Sequence, residues 1–421
     1  MEKDKQTNKF IDSIIEDIER NTGNLFINVK PYLNEKIYEE KIISIKEQLH
    51  LLLSLFPKNQ DKIHVAANDK SKLLFDLEST KHITDLKIIN YKGLQNISIH
   101  KLNKINVFAG ENNSGKTSLL EAVRLLIAQN DANDFLNLQQ LRGKFSEGEL
   151  NTSWVIDNVK SIEIEGEFGA ENNFTQIKIN PYREQNENIN SANYLGSVNF
   201  SGHFAGENYD SILRLFERGG ESYEISAKNG LHHLCAFAYY TPFAGYRNGK
   251  LYDAHAESTE KKYLPKIIKF LQASIDEDIT NILLVEKNGL KRFLVEHKQF
   301  DTAMDLVHFG DGLQNIFKTA MLFATAQNGI VLIDEMGTAI HYSLLTQYTK
   351  FIQQLAEAFN TQVFITSHSD ECIDAFVDND YKNDDISMYN LEVNEGKVLC
   401  KYMSGNRFRE LNELVGIDLR K

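Results

Sequence analysis

The chain has 421 residues, 42% of them hydrophobic and 25% charged, the balance of a globular protein with a sizeable core and, by length, two to three domains. Its 46 Lys and Arg against 59 Asp and Glu leave a net charge of −13, which excludes coating nucleic acid by bulk charge but leaves room for a local basic groove. Three scattered cysteines, Cys235, Cys372 and Cys400, form no CxxC or Cys/His cluster. A structural zinc site or disulfide framework is therefore not expected, and a reducing, cytoplasmic setting is.

Met1-Glu2-Lys3-Asp4-Lys5 leads into a charged pattern without the apolar stretch of a signal peptide, and no run approaches the ~18 apolar residues of a membrane span. Residues 1–80 read as a separate helical piece. Phe10, Ile11, Ile14, Ile15 and Ile18 recur at helical spacing, and Ile42, Ile45, Leu49, Leu52, Leu53 and Phe56 repeat the pattern up to Pro57. Such a piece serves either as a cap on the main domain or as an oligomerisation or partner-binding element.

Over residues 81–130 the pattern changes. Leu86 and Ile88, then Ile97 and Ile99, suggest two short strands around the turn Tyr91-Lys92-Gly93, and Lys104–Ala109 a third, followed by a Gly-bounded loop and a helix over Ser118–Ala128. Residues 131–300 suggest an inserted β-lobe and helical region. Strand runs at Ser161–Phe168 and Phe174–Ile179 precede an Asn-rich exposed loop over Glu184–Asn193, and Lys261–Ile282 reads as helix. Residues 301–421 alternate again: a helical run Leu313–Gln327, a buried strand Ile330–Ile333, an amphipathic stretch Leu344–Phe359 and a buried strand Val363–Thr366. A hairpin over Met388–Met403 and a short helix Arg407–Val415 close the chain. Strands alternating with helices imply an α/β fold with a mostly parallel sheet.

Gly110-Glu111-Asn112-Asn113-Ser114-Gly115-Lys116-Thr117 fits G-x-x-x-x-G-K-[ST] at every fixed position, between a strand and a helix. Gly110 and Gly115 let the backbone approach phosphates. The N–H groups of Asn112 to Ser118 and the helix N-terminus supply donors, Lys116 an ammonium for the β and γ phosphates, and Thr117 a hydroxyl for Mg²⁺. Ile330–Ile333 ends in Asp334-Glu335, an acidic pair where parallel strands bind ligands. Asp334 would hold Mg²⁺ and Glu335 would polarise the attacking water. The next strand ends in Thr366-Ser367-His368-Ser369, where His368 could bond the γ-phosphate or orient that water. Gly310-Asp311-Gly312 opens a helix as an anion-binding cap.

In this order the four elements resemble the ABC-type ATPase head: Walker A, a degenerate signature at Gly310-Asp311-Gly312, Walker B with a catalytic glutamate, and a switch histidine. The closer resemblance is to the OLD-like (AAA-15/AAA-21) group of prokaryotic ABC ATPases. It is carried by Leu86–Leu94, by Phe108–Val123, and by Leu332–Leu344 with Gln362–Ile373. His341 falls on that family's D-loop histidine. Met336-Gly337-Thr338-Ala339 depart from its usual D-loop, and Gln314-Asn315 stand where an arginine is common. The resemblance implies ATP and Mg²⁺ as ligands, with Asn90 and Lys92 near the ribose and base and Gln139 or Gln140 as the Q-loop glutamine. It also implies a homodimer or larger homo-oligomer sandwiching ATP between heads. No carboxylate set for a TOPRIM nuclease follows His368. The chain thus resembles stand-alone ATPases of anti-phage systems, of PARIS or Septu type, which control a separate nuclease or toxin effector in response to a phage protein or DNA. A RecF- or SMC-like repair ATPase is the alternative. Arg247 is a candidate phosphate or DNA contact.

Overall fold

The computed structural model describes residues 72–73, 82–143, 151–169, 171, 173–183, 194–217, 223–241, 248–287, 290–338 and 340–420. The helical runs expected within residues 1–80, the Asn-rich stretch Glu184–Asn193 and Arg247 lie outside these. The chain divides into two units, Met1–Ile63 and His64–Lys421, and only the second contains described residues.

A six-stranded sheet forms the centre of the second unit, in the order 237–240, 330–333, 362–367, 105–109, 386–394, 397–404. The first five strands are parallel and the last pairs antiparallel as an edge hairpin. The inner strands, INVFA, IVLI and QVFITS, are buried at every position, because helices or strands cover both faces. Alternate residues then serve different cores. Val107, Val331, Ile333, Val363 and Ile365 pack with the helices Asp311–Thr325 and Tyr342–Ala358. Phe108, Ile330, Leu332 and Phe364 face the helix Lys116–Ala128 and a second sheet. On that side the Phe108 ring stacks on Tyr389, with centroids 4.7 Å apart.

The second sheet is antiparallel, with seven strands in the order 94–99, 83–91, 162–168, 173–182, 194–204, 207–216, 223–227. Its strand Ile162–Phe168 alternates buried and half-buried residues, the signature of a sheet with one face on a core. The expected β-lobe therefore exists, but two of its strands precede the Gly-rich loop. The segment 131–300 in turn donates the strand Phe237–Tyr240 to the parallel sheet.

The expected helix Lys261–Ile282 is shorter. It runs Leu264–Ser274 with Pro265 in its first turn, and the chain then turns and enters a strand at Ile279. The Asp278 N–H donates to Asp276 Oδ1 at 3.0 Å, closing an Asx turn that ends the helical path. The following Ile-Thr-Asn-Ile-Leu-Leu-Val pairs with Leu290–His297. Here β-branched residues and a cross-strand partner overrode an apolar spacing that fitted a helix. The helices at 116–128, 311–325, 342–358 and 405–415, and the closing hairpin, lie where the sequence pattern placed them.

Among the described residues no helix is long and apolar enough to cross a membrane.

Candidate active site

The strands Ile105–Ala109, Ile330–Ile333 and Gln362–Ser367 are adjacent and parallel, so the loops that follow them emerge at one edge of the sheet. The ladder pairs Ile333 with Ile365 and Ser367 with Ala109. That register alone brings Asp334, Thr366 and the start of the Gly-rich loop together.

The loop's glycines answer to backbone demands. Gly110 has φ +152, and a Cβ there would stand 2.4 Å from the Leu391 carbonyl oxygen. Gly115 has φ +96, and a Cβ would stand 2.7 Å from Leu94 Cδ2. Any other residue would strain the backbone and displace a neighbour. Lys116 opens the helix and is 4% exposed. Its Nζ donates to the carbonyls of Gly110 and Glu111, both at 2.9 Å. Burial pulls the ammonium's pKa below its usual value, against the attraction of Glu335 and Asp334.

Asp334 is 1% exposed. The Thr117 hydroxyl lies 3.1 Å from each of its carboxylate oxygens, and the Thr366 hydroxyl donates to Oδ1 at 2.7 Å. Burial raises the Asp334 pKa while these two hydroxyls lower it. The Thr366 oxygen also accepts the Glu335 N–H at 2.8 Å. Glu335 sits at φ 50, a left-handed backbone that non-glycine residues avoid. Two more bonds hold that turn: Thr338 Oγ1 donates to the Glu335 carbonyl at 2.9 Å, and the Met336 N–H to the Thr366 carbonyl at 2.8 Å. The Glu335 carboxylate is hydrogen-bonded to His368 Nδ1, with side chains 13% and 51% exposed respectively. Such strain persists only where neighbours hold it, and it clusters at functional sites.

These groups fit a nucleotide with a divalent cation. Thr117 and Asp334 converge hard oxygen donors. The buried Ser114 Oγ of the loop has no hydrogen-bond partner among the described residues, an orphan that a phosphate oxygen would satisfy.

A family model described as "AAA domain, putative AbiEii toxin, Type IV TA system" matches residues 105–374. The chain belongs to this AAA family. A Helicobacter pylori protein described as an ATP/GTP phosphatase is 24% identical over 324 residues, covering 69% of this chain and 86% of that protein. The DNA replication and repair protein RecF of Nitrosococcus oceani is 49% identical over 45 residues, 11% of this chain and 12% of RecF. The crystal structure of the SmcHead bound to the C-winged helix domain of ScpA covers 77% of this chain and 98% of its own, at 12% identity and a TM-score of 0.40.

Other candidate residues of this AAA chain stand elsewhere. Gly310 precedes the helix Asp311–Thr325, whose core face packs on the side of the parallel sheet opposite the Lys116 helix. Gly310 and Asp311 are exposed, and a Cβ on Gly310 would meet nothing within 4 Å. Asn315, one turn in, accepts from Tyr240 Oη at 2.7 Å and donates to the Thr338 carbonyl at 3.4 Å. It thereby ties the glycine-bounded helix start to the turn after Glu335. His341 caps the next helix, hydrogen-bonded to Ser343, and Tyr342 beside it is 70% exposed.

Lys92 pairs with the buried Glu121 of the Lys116 helix at 2.8 Å, and Tyr91 Oη donates to the same carboxylate at 3.0 Å. Asn90 Nδ2 donates to the Ser161 carbonyl at 2.7 Å. Lys92 thus ties the β-lobe to the helix, while Asn90 ties two neighbouring strands of the lobe together. Gln139 and Gln140 lie within the helix Ala132–Gly143 rather than in a loop. The sequence pattern placed Thr366 at the end of a buried strand but did not show that it joins Asp334 to Glu335; a hydroxyl ending an apolar run beside His368 was the available signal. It also did not single out Glu121, the one acid of its helix.

Proposed function

We propose that this AAA chain binds ATP with Mg²⁺ and hydrolyses it, and that it does so as the sensor and scaffold of a prokaryotic anti-phage defence system acting on a separate nuclease or toxin. The observation that carries the hydrolytic reading is the pairing at one sheet edge of a Thr117–Asp334–Thr366 oxygen cluster with a Glu335–His368 pair. Bound Mg²⁺ would neutralise charge on the β and γ phosphates. Lys116 balances phosphate charge, and Thr117 and Asp334 present oxygens to the cation. Glu335 takes a proton from the attacking water, and His368 holds the Glu335 carboxylate on line for it.

Two heads would sandwich two nucleotides, the Gly310-Asp311-Gly312 of one chain closing over the Gly-rich loop of the other. The toxin–antitoxin description of the family supports an ATPase that works through a separate effector in the cytoplasm, triggered by a phage protein or by DNA. The stretch shared with RecF favours a second reading, a DNA-repair ATPase.

Turnover by the wild type and by Glu335→Gln tests the chemistry. The variant should keep ATP affinity and lose turnover by roughly 10²–10⁴-fold. An unchanged rate sinks the assignment of Glu335. Infection survival with and without the neighbouring gene separates defence from repair. Protection that needs no neighbour, together with ATP-dependent DNA binding that Lys116→Ala abolishes, would favour repair.

A further inference from the structure

We propose that Arg420 is a positioning residue for His368, carried by a short segment, 416–420, that bridges the strands on either side of the Gly-rich loop; this rests on the hydrolytic reading above. His368 stands at the corner between the strand Gln362–Ser367 and the helix Asp370–Val377, with half of its side chain open to solvent. So open a ring has few packed neighbours to fix it, and its aim at Glu335 depends on where its backbone is held.

Arg420 supplies that hold. Its Nη1 donates to the His368 carbonyl oxygen at 3.1 Å. Its Nε and Nη2 donate to Asp418 at 2.9 and 3.1 Å, and Nη2 also to Asp370, the first residue of the helix after His368. The hydrogen bond from Arg420 holds the Asp418 carboxyl well below the usual carboxylate range, so Asp418 stays ionised and grips the guanidinium at neutral pH. A planar fork of donors can satisfy all three partners at once, which a lysine ammonium cannot.

The segment is itself fixed to the sheet. Leu419 is 7% exposed and lies in the same core as Ala109 and Ile365. Its carbonyl accepts from Asn390 Nδ2 at 2.6 Å. Asn390 pairs with Ala109, the residue before Gly110, and Ser367 pairs with Ala109 from the other side. A connection therefore runs from one neighbour of the Ala109 strand, through Leu419 and Arg420, to the histidine corner on the other. It sets His368 relative to the loop that would hold the phosphates.

The test measures kcat, KM, nucleotide affinity and thermal stability of the full chain for Arg420→Ala, Arg420→Lys, His368→Ala and the double variant Arg420→Ala/His368→Ala. Arg420→Ala should lower kcat roughly ten- to a hundredfold at unchanged ATP affinity, the size of effect that misplacing a catalytic group produces. Arg420→Lys should recover only part of the loss. In the His368→Ala background, Arg420→Ala should cost nothing further. Losses that multiply, or a fall in kcat that tracks lost stability and lost affinity together, would make Arg420 merely structural and overturn the inference. If Arg420→Ala does not fold, Arg420→Lys in the same cycle decides. A wild type slowed by His368→Ala but not by changes at Arg420 sinks the inference and leaves the hydrolytic reading standing. A wild type without turnover removes that reading and the inference with it.

Discussion

The two glycine-bounded loops of this chain, Gly110–Lys116 and Gly310–Gly312, are furnished very differently. Around the first, one chain supplies a matched set: hydroxyls from Thr117 and Thr366 meet Asp334, and His368 meets Glu335. Around the second, Gly310 faces open space, Asp311 is exposed, and the helix they open packs against the other face of the sheet. A helix N-terminus left open carries unsatisfied N–H groups and partial positive charge. Under the proposed function, one chain would hold the hydrolytic half of a site and offer a second half outward. Under the proposed sandwich, the partner copy supplies what each Gly-rich loop lacks.

A mixing experiment would break this comparison most decisively. Gly310 has φ −54 and an unobstructed Cβ position, so Gly310→Trp should fold normally and block only what approaches from outside. Alone it should abolish turnover, as should Lys116→Ala alone. Mixed, the two dead chains should recover on the order of a quarter of wild-type activity, because half of the dimers carry one intact composite site. No recovery on mixing, or an active Gly310→Trp, would mean that the second loop takes no part.

The opposite edge of the same sheet offers a pH test that leaves the site untouched. His82 is fully buried, donates to the Asn360 carbonyl at 3.0 Å through Nε2, and has no partner at Nδ1 among the described residues. Burial lowers its pKa to about 4. The unfolded chain takes up the proton below about pH 6.5 and the native chain only below about 4. The unfolded state thus binds more protons in that window. The stabilisation is complete above pH 6.5 and is lost as pH falls through it toward 4, by about 3 kcal/mol in all. Beside it Gln362 clamps Ile83, accepting its N–H and donating to its carbonyl, both at 2.8 Å. Thermal melts should show this acid slope in the wild type and a flatter one in His82→Gln. Equal slopes would remove His82 from the account.

How much of this was legible beforehand follows the same division. Three central strands of the parallel sheet were readable, because buried strands are short apolar runs and these three run into Gly110–Thr117, Asp334-Glu335 and His368. The β-lobe was legible only where alternation was clean, as in Ile162–Phe168. The strand Ile279–Lys287 was hidden because Ile279, Ile282 and Leu283 also satisfy helical spacing, and only its pairing with Leu290–His297, a non-local fact, decides between the two. Phe237–Tyr240 gave no sign of its sheet, since four apolar residues fit either one. Lys92 looked like a ligand contact because the motif implied it, while its actual partner Glu121 lies on another element.

The smallest predicted effect concerns how well the hydrolytic half is built. Thr366 donates one hydrogen bond, to Asp334, and accepts another, from the Glu335 N–H. Thr366→Val keeps the shape, strands the Glu335 N–H and leaves Asp334 with the Thr117 hydroxyl alone. The cost should be about 1–2 kcal/mol of stability, the penalty for leaving buried polar groups unmade. One of the two hydroxyls that oppose the effect of burial would also be gone, so Asp334 should hold its proton to higher pH. Since a cation competes with that proton, the Mg²⁺ concentration for half-maximal turnover should rise at pH 6 more than at pH 8. Thr366→Ser restores the hydroxyl and should restore both. If valine and serine behave alike, Thr366 is a packing residue, and the strained Glu335 turn must be held by Thr338 and the Met336 backbone alone.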